Sequence, residues 1–198
     1  CELELKSIGM QINVQKSACM RFGNRYDSPC SSIISLSGNT LKWVTSFKYL
    51  GIVIVSGKRF RCLFDACKTN FGSFNAIFGR VGRFASEEVI LHLIRTKCLP
   101  VLLYAIEACP LLSRDVHSFE FVINRCLMKL FKTSSIVVVN ECCDFFGFTP
   151  IRLTIETRTV KFLERYISSE NIVCSCFVRI ATAQLNGLLL ATANRPSL

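Results

Sequence analysis

A reacting centre would have to be assembled here from Asp27, Asp65, Asp115 and Asp144, the glutamates, His92, His117 and twelve cysteines. Two-metal phosphoryl transfer needs carboxylates clustered so that two divalent ions sit about 3.5–4 Å apart. Each aspartate stands alone, with no Asp-Asp pair. Glu87 and Glu88 follow Ser86 and read instead as a helix start, a serine N-cap with acids at the positive end of the dipole. His92 and His117 fall in helical stretches without a triad-like partner pattern and read as surface or core-rim residues. No C-x-x-C occurs. Cys142-Cys143 are adjacent, Cys174-x-Cys176 is spaced by one, and Cys62-x4-Cys67 has no matching second pair. Structural zinc sites place paired ligands two to four residues apart, so these cysteines read as packed, reduced thiols and no metal ligand is expected. Neither a phosphate-cradling P-loop nor a dinucleotide fingerprint is present.

What remains is cationic chemistry. Lys and Arg number 24 against 14 Asp and Glu, for a net charge of +10 and a pI near 9.2. Residues 1–83 hold twelve of the basic residues and only Glu2, Glu4, Asp27 and Asp65, whereas residues 84–198 are nearly balanced. Lys42 to Arg83 alone carries eight basic residues and one acid. A solvated face normally mixes signs, so this asymmetry points to a surface that tracks a polyanion, nucleic acid before an anionic membrane. A membrane-surface protein would carry its basic residues along an amphipathic helix, and this window overlaps a strand-like region instead. Mean hydropathy is +0.39. The apolar run Cys98–Ile106 is too short to span a bilayer, and Arg179, Gln184 and Asn186 interrupt the stretch from Asn171 to Asn194. No membrane partner is expected. The chain starts at Cys1 with no leader pattern, and the expectation is a piece of a longer intracellular, non-secreted protein, nuclear or cytoplasmic.

These residues must be positioned by two kinds of structure. Gly9 to Gly57 reads as short strands: Ile12–Val14, then Ser31–Leu36 after Pro29, a Ser37-Gly38-Asn39 turn, Leu41–Val44, and a buried strand from Phe47 to Val55. From about Phe60 the pattern turns helical. Phe64, Cys67, Phe71, Phe74, Phe78 and Val81 draw one apolar stripe down a single helix of about six turns. Ser86 opens the next helix, which runs to about Cys98, where Leu99-Pro100 is expected to force a break or restart. Ser113 is expected to cap a third, with Lys129 and Lys132 in its last turn. Helices near Val137–Phe146, from Pro150 through Tyr166, and over Ile172–Leu190 complete the chain. The fold class is α+β, a small antiparallel hairpin region followed by a mainly helical remainder.

Three segments carry a resemblance. The first is Gly9-Met10-Gln11-Ile12-Asn13-Val14-Gln15-Lys16-Ser17, running on through Cys19-Met20-Arg21-Phe22-Gly23. The second is Phe47-Lys48-Tyr49-Leu50-Gly51-Ile52-Val53-Ile54, and the third is Lys97-Cys98-Leu99-Pro100-Val101-Leu102-Leu103-Tyr104-Ala105-Ile106-Glu107. In this order they resemble reverse transcriptases of non-LTR (LINE-type) retrotransposons. A G-hydrophobic-x-hydrophobic-N-x-x-K-[ST] stretch forms the fourth palm motif there, an [FY]-K-Y-L-G strand belongs to the primer-grip hairpin, and the thumb often reads P-x-L-x-Y-G-x-E. Ala105 stands at that glycine. The likeness covers residues 5–132 and extends less closely to about 166.

The resemblance implies an RNA-directed DNA polymerase, a nucleotidyltransferase, of which this chain is the end of the palm (residues 1–57), a helical thumb (58–132) and a C-terminal helical region (133–198). The fingers, the rest of the palm and the catalytic aspartates would lie upstream, so the chain alone is expected to be inactive. It would bind no cofactor itself, while the parent polymerase would use Mg2+. Lys16 would lie near the phosphates of the incoming nucleotide, with Asn13 and Ser17 fixing its turn. Tyr49, Leu50 and Gly51 would form the primer grip. Lys48, Lys58, Arg59, Arg61, Lys68, Arg80 and Arg83 would line the path of an RNA template and DNA primer duplex, reading backbone shape rather than sequence. Opposite the phenylalanine stripe, Lys68, Gly72, Asn75 and Gly79 form a small polar face suited to a duplex groove or to close helix packing. The rival reading is a non-catalytic helical nucleic-acid-binding or scaffold module, which explains the charge but not three family-like segments in order.

Overall fold

A computed structural model describes residues 2–49, 52–64, 72–82 and 84–193. It is mixed α+β and divides into two compact units, Cys1–Ala66 and Cys67–Leu198.

In the first unit helix α1 (Glu2–Ser7) precedes six short strands: β1 (Ala18–Cys19), β2 (Ile33–Ile34), β3 (Thr40–Trp43), β4 (Ser46–Tyr49), β5 (Ile52–Val55) and β6 (Arg61–Leu63). They form two sheets in the orders β1-β3-β2 and β4-β5-β6. β1 runs parallel to β3, and the remaining pairs are antiparallel. The expected turn at Ser37-Gly38-Asn39 is present, with Gly38 at φ +79, a region glycine enters without a Cβ clash. It closes on buried Ser35, whose carbonyl accepts from Gly38 N at 2.9 Å and whose hydroxyl accepts from Asn39 N at 3.2 Å.

Two strand expectations are corrected. Ile12–Val14 is not a strand: the Asn13 side chain takes up the backbone N–H groups of Gln15 and Lys16, which offers the chain a local alternative to a ladder. Extended pairing falls on Ala18–Cys19 instead. Phe47–Val55 is not one buried strand but two antiparallel ones, in register from Ser46↔Val55 to Tyr49↔Ile52. Of its described residues only Ile52 is buried. The intervening Leu50 and Gly51 lie outside the described residues.

The helix expected from Phe64 is also corrected at its start. Arg61–Leu63 pairs with β5, because its alternation places Cys62 on the covered side between exposed Arg61 and Leu63. Cys67 and Phe71 lie outside the described residues, while Phe74, Phe78 and Val81 lie on α2 (Gly72–Val81) with Phe74 almost wholly buried.

The second unit is helical. α3 (Glu87–Leu93) starts as expected, Ser86 Oγ accepting from Val89 N at 3.5 Å. At Leu99-Pro100 it restarts, as expected, without a stop in the chain's helical course. The chain widens into a π turn (Ile94–Cys98), Leu99 N donating to Ile94 O five residues back, and continues as α4 (Leu99–Leu102). Pro100 lacks an N–H and crowds the carbonyl four residues before it, so a local widening accommodates it without a stop. After a short 3-10 turn (Ile106–Ala108) comes α5 (Ser113–Leu130), in which Ser113 is the first helical residue and not the cap. Leu112 occupies the cap position and Asp115 Oδ2 accepts its N–H at 3.0 Å. Lys129 falls in the last turn, but Lys132 lies beyond it at φ +53. α6 (Ile136–Phe145), α7 (Ile151–Ile167) and α8 (Ile172–Ala193) follow.

The core of this unit joins Ile90, Leu91, Ile94, Cys98, Leu102, Leu103 and Ile106 with Phe119, Ile123, Leu127 and Leu130 of α5, Val139 of α6, and Ile155 and Leu163 of α7. At about 1.5–3 kcal/mol for each fully buried large aliphatic or aromatic side chain, this core dominates the stability of the unit. α8 packs on α7 and stays helical through Arg179, Gln184 and Asn186, since polar side chains interrupt a hydropathy run without breaking a helix. Two helical stretches, Glu87–Ala108 and Ile172–Ala193, are long and apolar enough to cross a membrane by length and composition; 39% of the first and 6% of the second is buried in the molecule.

Candidate nucleic-acid interface

In the first unit Lys16 closes a side-chain-capped turn. Asn13 Oδ1 accepts from Gln15 N and from Lys16 N, each at 3.1 Å, and Lys16 N also donates to Asn13 O at 3.1 Å. Lys16 is exposed at the tip, while Ser17 adds no side-chain hydrogen bond among the described residues. The segment after it runs beside the end of the hairpin. Ser56 Oγ donates to Arg21 O at 2.6 Å, Gly23 N donates to Gly57 O at 3.0 Å, and the rings of Phe22 and Phe60 lie 5.6 Å apart. Residues 19–23 and 56–60 therefore tie the first two family-like segments together.

Lys16 and Tyr49 themselves are not joined. No hydrogen bond or ring contact links them among the described residues. Among the described residues, one hollow of this unit is lined by Glu2, Lys6, Met10, Gln11, Ile12, Leu36 and Ser37, and another by residues including Arg21, Tyr26 and Trp43. Neither takes in Lys16 or Tyr49.

The hairpin sheet sorts the remaining candidates by register. Lys48 pairs with Val53, Val53 with Leu63, and Val55 with Arg61. Directly paired residues share a face and alternate residues return to it, so Lys48 and Arg61 project from one side. Tyr49, Phe47, Ile54 and the buried Ile52 and Cys62 belong to the other, with Tyr49 58% exposed at the strand end. Lys58 and Arg59 are exposed on the loop between β5 and β6. None of Lys16, Lys48, Lys58, Arg59 and Arg61 makes an ion pair among the described residues. Leu50, Gly51, Lys68 and Arg83 lie outside the described residues.

In the second unit several cations are engaged internally. Arg95 donates to the carbonyls of Phe146 and Gly147 at 2.9 and 2.7 Å and lies over the Phe148 ring. Arg152 bridges α7 to Glu120 of α5 at 2.9 Å, and Glu120 also meets His117 Nδ1 at 2.9 Å. Lys129 donates to Asn75 Oδ1 at 3.2 Å and sits 4.8 Å from the Phe78 ring centroid. Asn75 is thus engaged in packing. Gly79 is open, with nothing within 4 Å of where its Cβ would stand, and Arg80 beside it is exposed.

In the third segment Ala105 adopts φ +54, ψ +17, a left-handed conformation uncommon for any residue with a Cβ. Glu107, two residues on, receives Arg158 Nη2 of α7 at 3.1 and 3.3 Å. The left-handed residue turns the chain so that this carboxylate meets α7. Missed by sequence reasoning are Arg158, Lys161 and Arg165, whose spacing of three and four residues is the signal that puts them on one helix face.

Two of the thiols are held in the protonated form. Burial pushes Cys126 up to about 12, with Cys98 adding to the rise, and burial, then Asp144 and Cys142, pushes Cys143 up to about 11. Both stay protonated at neutral pH. Among the described residues no three His, Cys, Asp or Glu side chains are grouped to hold a metal ion. Compared with protein-family models, with curated proteins and with solved structures, the chain finds no match.

Proposed function

We propose that the chain is the palm-end and thumb part of an RNA-directed DNA polymerase of the non-LTR retrotransposon type, and that it holds the template–primer duplex. The observation that carries this reading is at Ala105. It stands where the family's thumb motif has glycine, and its backbone is left-handed, the conformation that makes glycine useful at such a position. The exposed cations Lys16, Lys48, Lys58, Arg59 and Arg61 of the first unit support the same reading, because they make no ion pair among the described residues and so keep their charge available to a polyanion. The palm end would present Lys16 to nucleotide phosphate as a point charge, and Lys48, Lys58, Arg59 and Arg61 would track the sugar-phosphate backbone. Catalytic carboxylates would come from the upstream palm.

The test is a filter-binding titration with an RNA–DNA hybrid. If about six phosphates are neutralised, affinity falls roughly a thousandfold between 50 and 200 mM salt. A flat response to salt overturns the duplex-holding reading.

A further inference from the structure

Arg158, Lys161, Phe162 and Arg165 of α7 line a hollow of about 380 Å3 together with Glu107 of the Ile106–Ala108 turn. At about 100° per residue these four α7 side chains fall within one sector of roughly 100°, outside which Glu156 and Glu164 lie. Glu107 is the one acid at the hollow, and its two oxygens are already bonded to Arg158. Lys161 and Arg165 are exposed and make no ion pair among the described residues, which leaves the hollow a surplus of positive charge. Arg158 Nε is buried beside it with no hydrogen-bond partner among the described residues, a donor that packing alone has not satisfied.

The hollow is also more than a charged patch. Its volume lies within the range of about 300–1,000 Å3 typical of small-ligand sites. Phe162 gives it an aromatic wall, backed by Tyr166 at 6.0 Å between ring centroids. Cations that alternate with an aromatic ring suit a nucleotide whose base is unstacked, since every base offers a π face and the phosphate needs only charge. A duplex keeps its base faces stacked and has none to offer Phe162.

We propose that this hollow takes one nucleotide of a single-stranded polynucleotide, its phosphate between Lys161 and Arg165 and its base against Phe162. The site stands on the cavity and its charges, and does not rest on the duplex reading of the first unit.

The experiment uses the full 198-residue chain and a fluorescein-labelled single-stranded oligonucleotide of about ten nucleotides, followed by polarisation at several salt concentrations. Lys161→Glu/Arg165→Glu alters exposed positions, with Lys161→Gln/Arg165→Gln as the milder pair and circular dichroism as the check on folding. Both pairs weaken binding, the reversal by about tenfold or more, and lower the magnitude of the log–log salt slope by about 1.4 for two lost phosphate contacts on a single strand. Phe162→Leu keeps the wall apolar and weakens binding about fivefold, through lost base stacking. Charge variants that bind within twofold of wild type overturn the proposal. So does a Phe162→Leu variant that binds normally while inorganic phosphate displaces the probe as well as a mononucleotide does, which would make the hollow a bare anion site. A parallel arm with Lys48→Glu/Arg61→Glu and a hybrid duplex separates the two readings: loss there with normal single-strand binding by the α7 variants sinks this proposal alone, and the reverse sinks only the duplex reading.

Discussion

Lys48 and Arg61 project from the same face of the β4-β5-β6 sheet, and Tyr49, the neighbour of Lys48, projects from the opposite one. A polyanion lying on the first face would meet both cations without touching Tyr49. Lys48→Glu/Arg61→Glu is therefore expected to reduce the salt slope of hybrid-duplex binding by about two, one for each phosphate contact, while Tyr49→Ala leaves the slope unchanged. Filter binding across a salt series checks both. A slope that falls equally in the two variants would mean that the sheet does not sort these residues by partner.

Asn13 holds Lys16 through the side-chain oxygen that accepts from Gln15 N and Lys16 N. A net hydrogen bond contributes about 0.5–1.5 kcal/mol, with an exposed one at the low end. Asn13→Ala should loosen the turn without unfolding the unit, so that trypsin cleaves after Lys16 severalfold faster, whereas Asn13→Asp keeps the acceptor and the slow cleavage. In a chain extended upstream to include catalytic carboxylates, Lys16→Ala should slow nucleotide incorporation more than it weakens duplex binding. Equal losses in incorporation and binding would argue against a role at the nucleotide.

The helices from Ser86 onward were legible because apolar residues return every three or four positions and their ends carry local signals, Ser86 ahead of Glu87 and Glu88 being the clearest. An antiparallel hairpin region was legible too, but not the division of its longest run. Phe47 to Val55 is one apolar, β-branched run, and periodicity cannot tell a buried strand from the two short antiparallel strands Ser46–Tyr49 and Ile52–Val55. Arg61–Leu63 was hidden for a different reason: three residues are too few to show alternation, and Phe64 falls into phase with the helical stripe that follows. The pairing of Glu107 with Arg158 links distant stretches of sequence and leaves no local trace. Lys48 and Arg61 could be named as cations from composition, but their shared face depends on register, which only the pairing of β4, β5 and β6 fixes.

Ala105 offers a stability test of the turn between α4 and α5. A non-glycine residue in the left-handed region is disfavoured by roughly 1–2 kcal/mol. Glycine removes that strain but makes the unfolded chain more flexible by about 0.5–1 kcal/mol. Ala105→Gly should therefore stabilise the second unit by up to about 1 kcal/mol, a rise in Tm of about 2–4 °C for a unit of this size. Ala105→Val, β-branched at the same φ, should lower Tm. Calorimetry on both variants checks the order Gly above Ala above Val, and a fall in Tm for Ala105→Gly would mean that the strain is relieved in solution by another backbone conformation.

Cys126 gives the second unit an alkaline limit. Cys126 is 9% exposed on the inner face of α5, and burial pushes its thiol up to about 12, from an ordinary value of 9.0. The folded state keeps this proton at a pH where the unfolded state has released it. The associated stability is fully present below about pH 9, falls by up to about 1.4 kcal/mol per pH unit above that, and is gone once pH passes the folded value. Urea unfolding from pH 8 to 11 should show a midpoint that declines with pH, more shallowly in Cys126→Ala, where comparison of slopes cancels the cavity left by the missing sulfur. At pH 8 an alkylating reagent should modify exposed Cys176 long before Cys126, the buried thiol reacting only as the unit opens. Equal labelling rates at the two positions, or parallel pH slopes in wild type and variant, would show that Cys126 is not held protonated by the core.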